Sequence, residues 1–84
     1  MHQKKILSII IPAYTEEKNI AYMYGAILEA LQDISVVYDY EIVFVNDGSQ
    51  DATWSEIEKL CAYDSRVLGL NLSRNFGKEI AITA

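Results

Sequence analysis

Three short apolar runs, each stopped by polar or turn-forming residues, constrain this chain more than any other feature. Residues 6–11 run into Pro12, residues 42–45 run into Asn46-Asp47-Gly48-Ser49, and residues 66–72 carry Val67, Leu68, Leu70 and Leu72 before Ser73. Short runs rich in β-branched residues suit strands buried on both faces of a parallel sheet. Pro12 cannot donate to a ladder, so the first strand is expected to end there. Between the runs the apolar period changes to that of a helix. From Glu16 to about Ile34 the apolar residues fall at Ile20, Met23, Ile27, Leu31 and Ile34, the stripe of an amphipathic helix. Glu16 and Glu17 would occupy its first turn, where the dipole favours acids. Trp54, Ile57, Leu60 and Cys61 form the inner face of a second helix, which Ser49 or Asp51 can cap. A third helix is expected to open at Lys78, after the loop Arg74-Asn75-Phe76-Gly77.

Strand, helix, strand, helix, strand in this order predicts an α/β fold, a Rossmann-like parallel sheet with alternating helices and right-handed crossovers. The 84 residues allow one small domain. With 51% hydrophobic and 23% charged residues the composition is that of a globular chain, which argues against disorder. A net charge of −5 without a basic stripe argues against a nucleic-acid partner. The single cysteine, Cys61, excludes an internal disulfide and reads as a small core residue. The apolar run after Lys4-Lys5 is too short for a signal peptide, and no run approaches the ~18 residues that span a bilayer. The chain is therefore expected to be soluble and cytoplasmic. Tyr22, Tyr24, Tyr38, Tyr40 and Tyr63 lie on or beside the helices and are read as packing residues, and Trp54 as core.

In open α/β sheets ligands sit outside the carboxyl ends of the strands. That rule singles out three loops: Pro12 to Thr15, Asp47 to Asp51, and Arg74 to Gly77. Several familiar chemistries are missing from them. There is no Gly-x-Gly-x-x-Gly after the first strand, no phosphate loop, no receiver-type acid set, and no Ser/His/Asp set, since the one histidine is His2.

What the loops do contain is Ile11-Pro12-Ala13-Tyr14-Thr15-Glu16-Glu17, then Val45-Asn46-Asp47-Gly48-Ser49-Gln50-Asp51-Ala52-Thr53, then Ser73-Arg74-Asn75-Phe76-Gly77-Lys78-Glu79. In this order and spacing they resemble the family 2 glycosyltransferases of the GT-A fold, over essentially the whole chain. The third stretch points to the branch of polyprenyl-phosphate sugar transferases, the bactoprenol glucosyltransferases and dolichol-phosphate mannose synthase relatives. Two positions depart from the pattern. Asn46 stands where many members have an acid, and Thr15 stands where asparagine is frequent.

The resemblance implies that residues 1–84 are the N-terminal nucleotide-sugar-binding portion of a larger transferase domain, and that the whole protein moves a sugar, UDP-glucose being the expected donor, to a polyprenyl phosphate with inversion. It implies that Asp47 binds the uracil or ribose, that Tyr14 stacks on the base, that Pro12 and Ala13 line the pocket, and that Glu16 makes a second polar contact. Arg74 and Lys78 would face the diphosphate, helped by the start of the expected helix. Gly48 supplies a positive φ, while Ser49, Asp51 and Thr53 anchor the following helix. Each role has a plainer counterpart. Asp47-Gly48 alone is also a turn signal, Tyr14 can pack over the sheet edge, Glu16 can serve a helix dipole, and Arg74 and Lys78 can be solvated charges. Family members hold Mg²⁺ or Mn²⁺ with an Asp-x-Asp. That motif is absent from this chain, so no metal ligand and no catalytic residue are assigned in it. The chain alone is expected not to catalyse transfer, and the whole protein is expected on the cytoplasmic face of a membrane. An exposed sheet edge would favour self-association into homo-oligomers. A non-catalytic nucleotide-binding module and a protein-interaction domain are the competing readings.

Overall fold

A computed structural model describes residues 5–48, 51–73 and 77–81, with side chains at residues 5–48 and 51–72. The element order is β1 (Ile6–Ala13), α1 (Ile20–Ala30), a 3-10 turn (Ile34–Val36), β2 (Asp39–Asp47), α2 (Thr53–Tyr63), β3 (Val67–Ser73) and β4 (Gly77–Ala81). The four strands form one sheet in the order β1-β2-β3-β4. β1, β2 and β3 are parallel and β4 returns antiparallel along β3. The chain is thus the expected α/β fold, with helices between parallel strands.

The register lays the residues out in rungs. Ile9, Ile42 and Val67 form one rung, Ile11, Phe44 and Gly69 the next, and Ala13, Asn46 and Asn71 the third. Every fully buried sheet residue belongs to these rungs, and they form one core with Ile20 of α1 and Ile57 and Cys61 of α2. Both helices therefore cover the same face, and they pack against each other. Phe44, 0% exposed, is the largest side chain at the centre. Gly69 is required by close approach, not by backbone freedom. A Cβ there would come within 2.8 Å of Ile57 Cγ2 and 3.1 Å of two Trp54 ring atoms. Cys61 sits in the core as expected, and burial pushes its thiol pKa up.

Several expectations are corrected. β1 is not buried on both faces. It is an edge strand, with Ile6 69% and Ile10 58% exposed. That position also explains why β1 continues through Pro12 to Ala13, since an edge strand can lose a donor on its outer side. The first helix begins at Ile20 and not at Glu16. Residues 17–19 form a turn, and the Glu16 carbonyl accepts the Asn19 and Ile20 N–H groups at 2.8 and 3.1 Å. Neither Glu16 nor Glu17 lies in the first helical turn. Lys78 does not open a helix. Residues 77–81 pair with the open edge of β3, which satisfies backbone groups that β3 would otherwise present to water. Tyr22 and Tyr63 are exposed, whereas Tyr24 donates from its hydroxyl to Asp64 Oδ2 at 2.6 Å. Burial and the adjacent Asp64 carboxylate raise the Tyr24 pKa far above the usual phenol range. Arg66 caps the Tyr40 ring, its Cζ 4.7 Å from the centroid.

Candidate functional site

The carboxyl ends of β1 and β2 lie side by side, because Ala13 pairs in register with Asn46. Tyr14 and Asp47 therefore leave the sheet next to each other. Two of the three loops singled out in the sequence begin here. The third follows Ser73 at the end of β3, where Arg74 lies outside the described residues, as does Ser49 of the second loop. Lys78 is placed on β4 opposite Leu72. Residues 77–81 are a strand, so the helix start expected at Lys78 is not among the described residues.

Tyr14 is 64% exposed, so its ring is presented to solvent and not packed into the core. Asp47 ends β2 and is exposed, with a carboxylate open to a donor from outside. Gly48 takes φ +75°, the left-handed conformation its role as a turn requires. Pro12 is exposed beside them. Ala13 is 1% exposed with its methyl in the core, which leaves only its backbone to border anything outside. The Glu16 carboxylate is half-buried and accepts a bond from the Asn19 amide at 3.0 Å.

Asn46, whose amide replaces the more frequent acid, is buried and donates from Nδ2 to the side-chain Oδ1 of Asn71 at 2.8 Å. An amide suits this place. It satisfies a neighbour inside the core without bringing a charge there.

The second loop does more than turn. Asp51 Oδ1 accepts the Thr53 N–H at 3.0 Å and the Thr53 hydroxyl, and the carboxylate also accepts a backbone bond from Glu17. The Thr53 hydroxyl bond, chief among these contacts, holds the Asp51 pKa below its usual value. Thr53 is 0% exposed, and its Oγ1 accepts the Glu16 N–H at 2.8 Å. Thr15 adopts φ +54°, rare for a β-branched side chain and better suited to asparagine.

Sequence reasoning missed Lys18. It lines a hollow of about 240 Å³ with Thr15, Glu17, Asn19 and Asp51. The signal was available, since Lys18 stands two residues after Glu16 in the same loop. The hollow is smaller than the ~300 Å³ of a typical small-molecule pocket, and Tyr14 and Asp47 do not line it. Among the described residues no three His, Cys, Asp or Glu side chains converge where they could hold a metal ion. Nor, among the described residues, is any helix long and apolar enough to cross a membrane.

Residues 8–84 match the sequence model of Glycosyl transferase family 2. The chain belongs to that family. It is 47% identical over 79 residues to the glycosyltransferase CsbB of Bacillus subtilis (strain 168), covering 94% of this chain and 23% of that protein. It is 44% identical over 78 residues to the bactoprenol glucosyl transferase of Shigella phage SfV, covering 93% of this chain and 25% of that protein. The prophage bactoprenol glucosyl transferase homolog of Escherichia coli (strain K12) matches with the same identity and coverage. The chain thus spans about a quarter of the length of these relatives. Membership of this family fits a Rossmann-like sheet whose loops gather at the carboxyl ends of its strands.

Proposed function

We propose that this chain is the nucleotide-sugar-binding portion of an inverting transferase that moves glucose from UDP-glucose to a polyprenyl phosphate. The observation that carries the reading is the placement of Tyr14 and Asp47 on neighbouring strand ends, in a chain belonging to this family. Relatives bearing the name bactoprenol glucosyl transferase support the acceptor and the sugar. An exposed tyrosine offers a face on which a base can stack, worth ~1–3 kcal/mol. An exposed carboxylate on the next strand can accept from a base N–H or a ribose hydroxyl. Glu16 supplies the second polar contact, Pro12 and the Ala13 backbone border the base, and Gly48 gives it room.

In the proposed reaction a phosphate oxygen of the acceptor attacks the anomeric carbon, and the bond from that carbon to the UDP oxygen breaks with inversion. The acceptor is already anionic at neutral pH, so a general base is dispensable. Arg74, Lys78 and Lys18 are the residues of this chain proposed to neutralise the leaving diphosphate. Mg²⁺ or Mn²⁺, where used, is proposed to be held by other residues of the whole protein. The whole protein is proposed to work at the cytoplasmic face of a membrane, where its acceptor would lie.

The test is calorimetric titration of the whole protein with UDP-glucose, together with an assay for transfer of labelled glucose to a polyprenyl phosphate. Binding that falls about tenfold or more in Asp47→Ala is expected from loss of a charged hydrogen bond. Equal binding by Asp47→Ala and the native protein would sink the assignment. Turnover with another nucleotide sugar in place of UDP-glucose would overturn the donor and leave the fold-level reading intact.

A further inference from the structure

Among the described residues no sheet ladder ties the first two loops together beyond the ends of β1 and β2. A tie is made there by side chains of the second loop on the backbone of the first. The bond from the Glu16 N–H to Thr53 Oγ1 spans 37 residues of sequence. The first N–H of α2 is satisfied separately, by Asp51. The hydroxyl has one proton, and it is committed to Asp51 Oδ1, which leaves the oxygen lone pairs turned toward Glu16. Asp51 in turn accepts from the Glu17 backbone, so the first loop is held at two consecutive residues. Immediately before them Thr15 is kept at φ +54°, a conformation that persists only where its surroundings over-determine it. Thr53 is wholly buried and so touches no ligand itself.

We propose that Asp51 and Thr53 are positioning residues, a hydrogen-bonded staple that sets the gap between the loop bearing Tyr14 and Glu16 and the loop bearing Asp47. The role goes beyond helix anchoring, and it rests on the proposed nucleotide site. A base stacked on Tyr14 and bonded to Asp47 needs both loops at one separation, and misplacement of either weakens binding without touching the ligand. The low pKa of Asp51 is consistent with a carboxylate that stays ionised and accepting across the physiological range.

The experiment compares Thr53→Val, Thr53→Ser and Asp47→Ala in the whole protein, reading UDP affinity by calorimetry, KM and kcat for UDP-glucose, and thermal midpoint. Valine keeps the shape and removes the acceptor; serine keeps the acceptor. Thr53→Val is expected to weaken UDP binding and raise KM about tenfold with a smaller change in kcat, from the loss of one buried hydrogen bond. Thr53→Ser is expected to restore affinity to within about twofold of native. Native affinity in Thr53→Val, with binding lost in Asp47→Ala, overturns the staple and leaves the site standing. Loss of affinity in Thr53→Val that serine does not rescue also overturns it. If neither Thr53→Val nor Asp47→Ala affects UDP binding, the site itself fails and the staple with it. Should Thr53→Val not fold, Asp51→Asn decides. It weakens the bonds to Thr53 and Glu17 without deleting the acceptor, so a measurably higher Kd supports the staple and an unchanged Kd overturns it.

Discussion

The two faces of the sheet are built from almost the same residue types and meet opposite fates. On the helix-covered face Ile42, Phe44 and Val67 are fully buried. On the other face the rungs Ile10-Val43-Leu68 and Pro12-Val45-Leu70 are equally apolar, yet none is fully buried, and Ile10 at the edge stands largely in water. The difference lies in topology and not in composition. Two crossovers running in one direction across the sheet put both helices on one side. Stability in the described residues is therefore concentrated in one layer of contacts.

The largest effect should come from Phe44→Ala, which opens a cavity under both helices and is expected to cost about 3–5 kcal/mol. Urea denaturation would show it as a lower midpoint or as failure to fold. Its counterpart on the bare face is Ile10→Lys. That change is expected to leave stability within about 0.5 kcal/mol, as for most surface substitutions. It should also reduce the self-association we propose for the exposed face and edge of β1. Light scattering of the native chain and the variant checks this. A native chain that is already a monodisperse monomer would remove the association, and a large stability loss in Ile10→Lys would break the contrast between faces.

Gly69→Ala sharpens the comparison from the packing side. The added methyl would press on Ile57 and Trp54, and overpacking of this kind is expected to cost about 1–3 kcal/mol. The same glycine-to-alanine change at Gly25, where a Cβ meets no atom within 4 Å, is expected to be neutral or stabilising, by up to ~1 kcal/mol, since α1 gains helix propensity. Thermal midpoints measured side by side separate a steric effect from a general intolerance of alanine.

Much of this was legible in the sequence, for identifiable reasons. The apolar runs located three strands, the 3.6-residue period located both helices, and Asp47-Gly48 announced a turn that needs positive φ. Those signals are local. What failed depended on partners distant in sequence. Residues 6–11 look the same whether or not a second layer covers them, so β1 read as buried when it is an edge. Lys78 onward has no strong local preference against helix, and the open edge of β3 decided its conformation. The site divided likewise. The placement of Tyr14 and Asp47 at the strand ends was readable from the loops, while the bridge from Thr53 to Glu16 joins residues 37 positions apart and leaves no periodic trace. Thr15 looked like a weak substitute for asparagine; its left-handed backbone shows why asparagine would fit there.

The smallest predicted effects compare the polar pairs that each face carries. Asn46 and Asn71 meet on the covered face, where Asn46 is buried and their bond is partly buried. Ser8 donates to Glu41 on the bare face, where water can replace either partner. Asn46→Leu withdraws a donor from Asn71 inside the core and is expected to cost about 1–3 kcal/mol. Ser8→Ala removes a side-chain bond on the exposed side and is expected to change stability by less than about 0.5 kcal/mol. If the two substitutions cost the same, burial by the helices is not what separates the faces. If only Asn46→Leu is costly, the amide at position 46 is held by the packing of this chain, and an acid there would have to bring its own donor. Asn46→Asp probes that directly. With Asn71 turned to present its NH₂, the variant should fold at neutral pH and keep most of its stability, whereas combining it with Asn71→Asp would set two carboxylates against each other in the core. The double variant is then expected to be much less stable at neutral pH than the sum of the singles and to recover as acid protonates one carboxyl, a coupling that a double-mutant cycle measured at two pH values would detect.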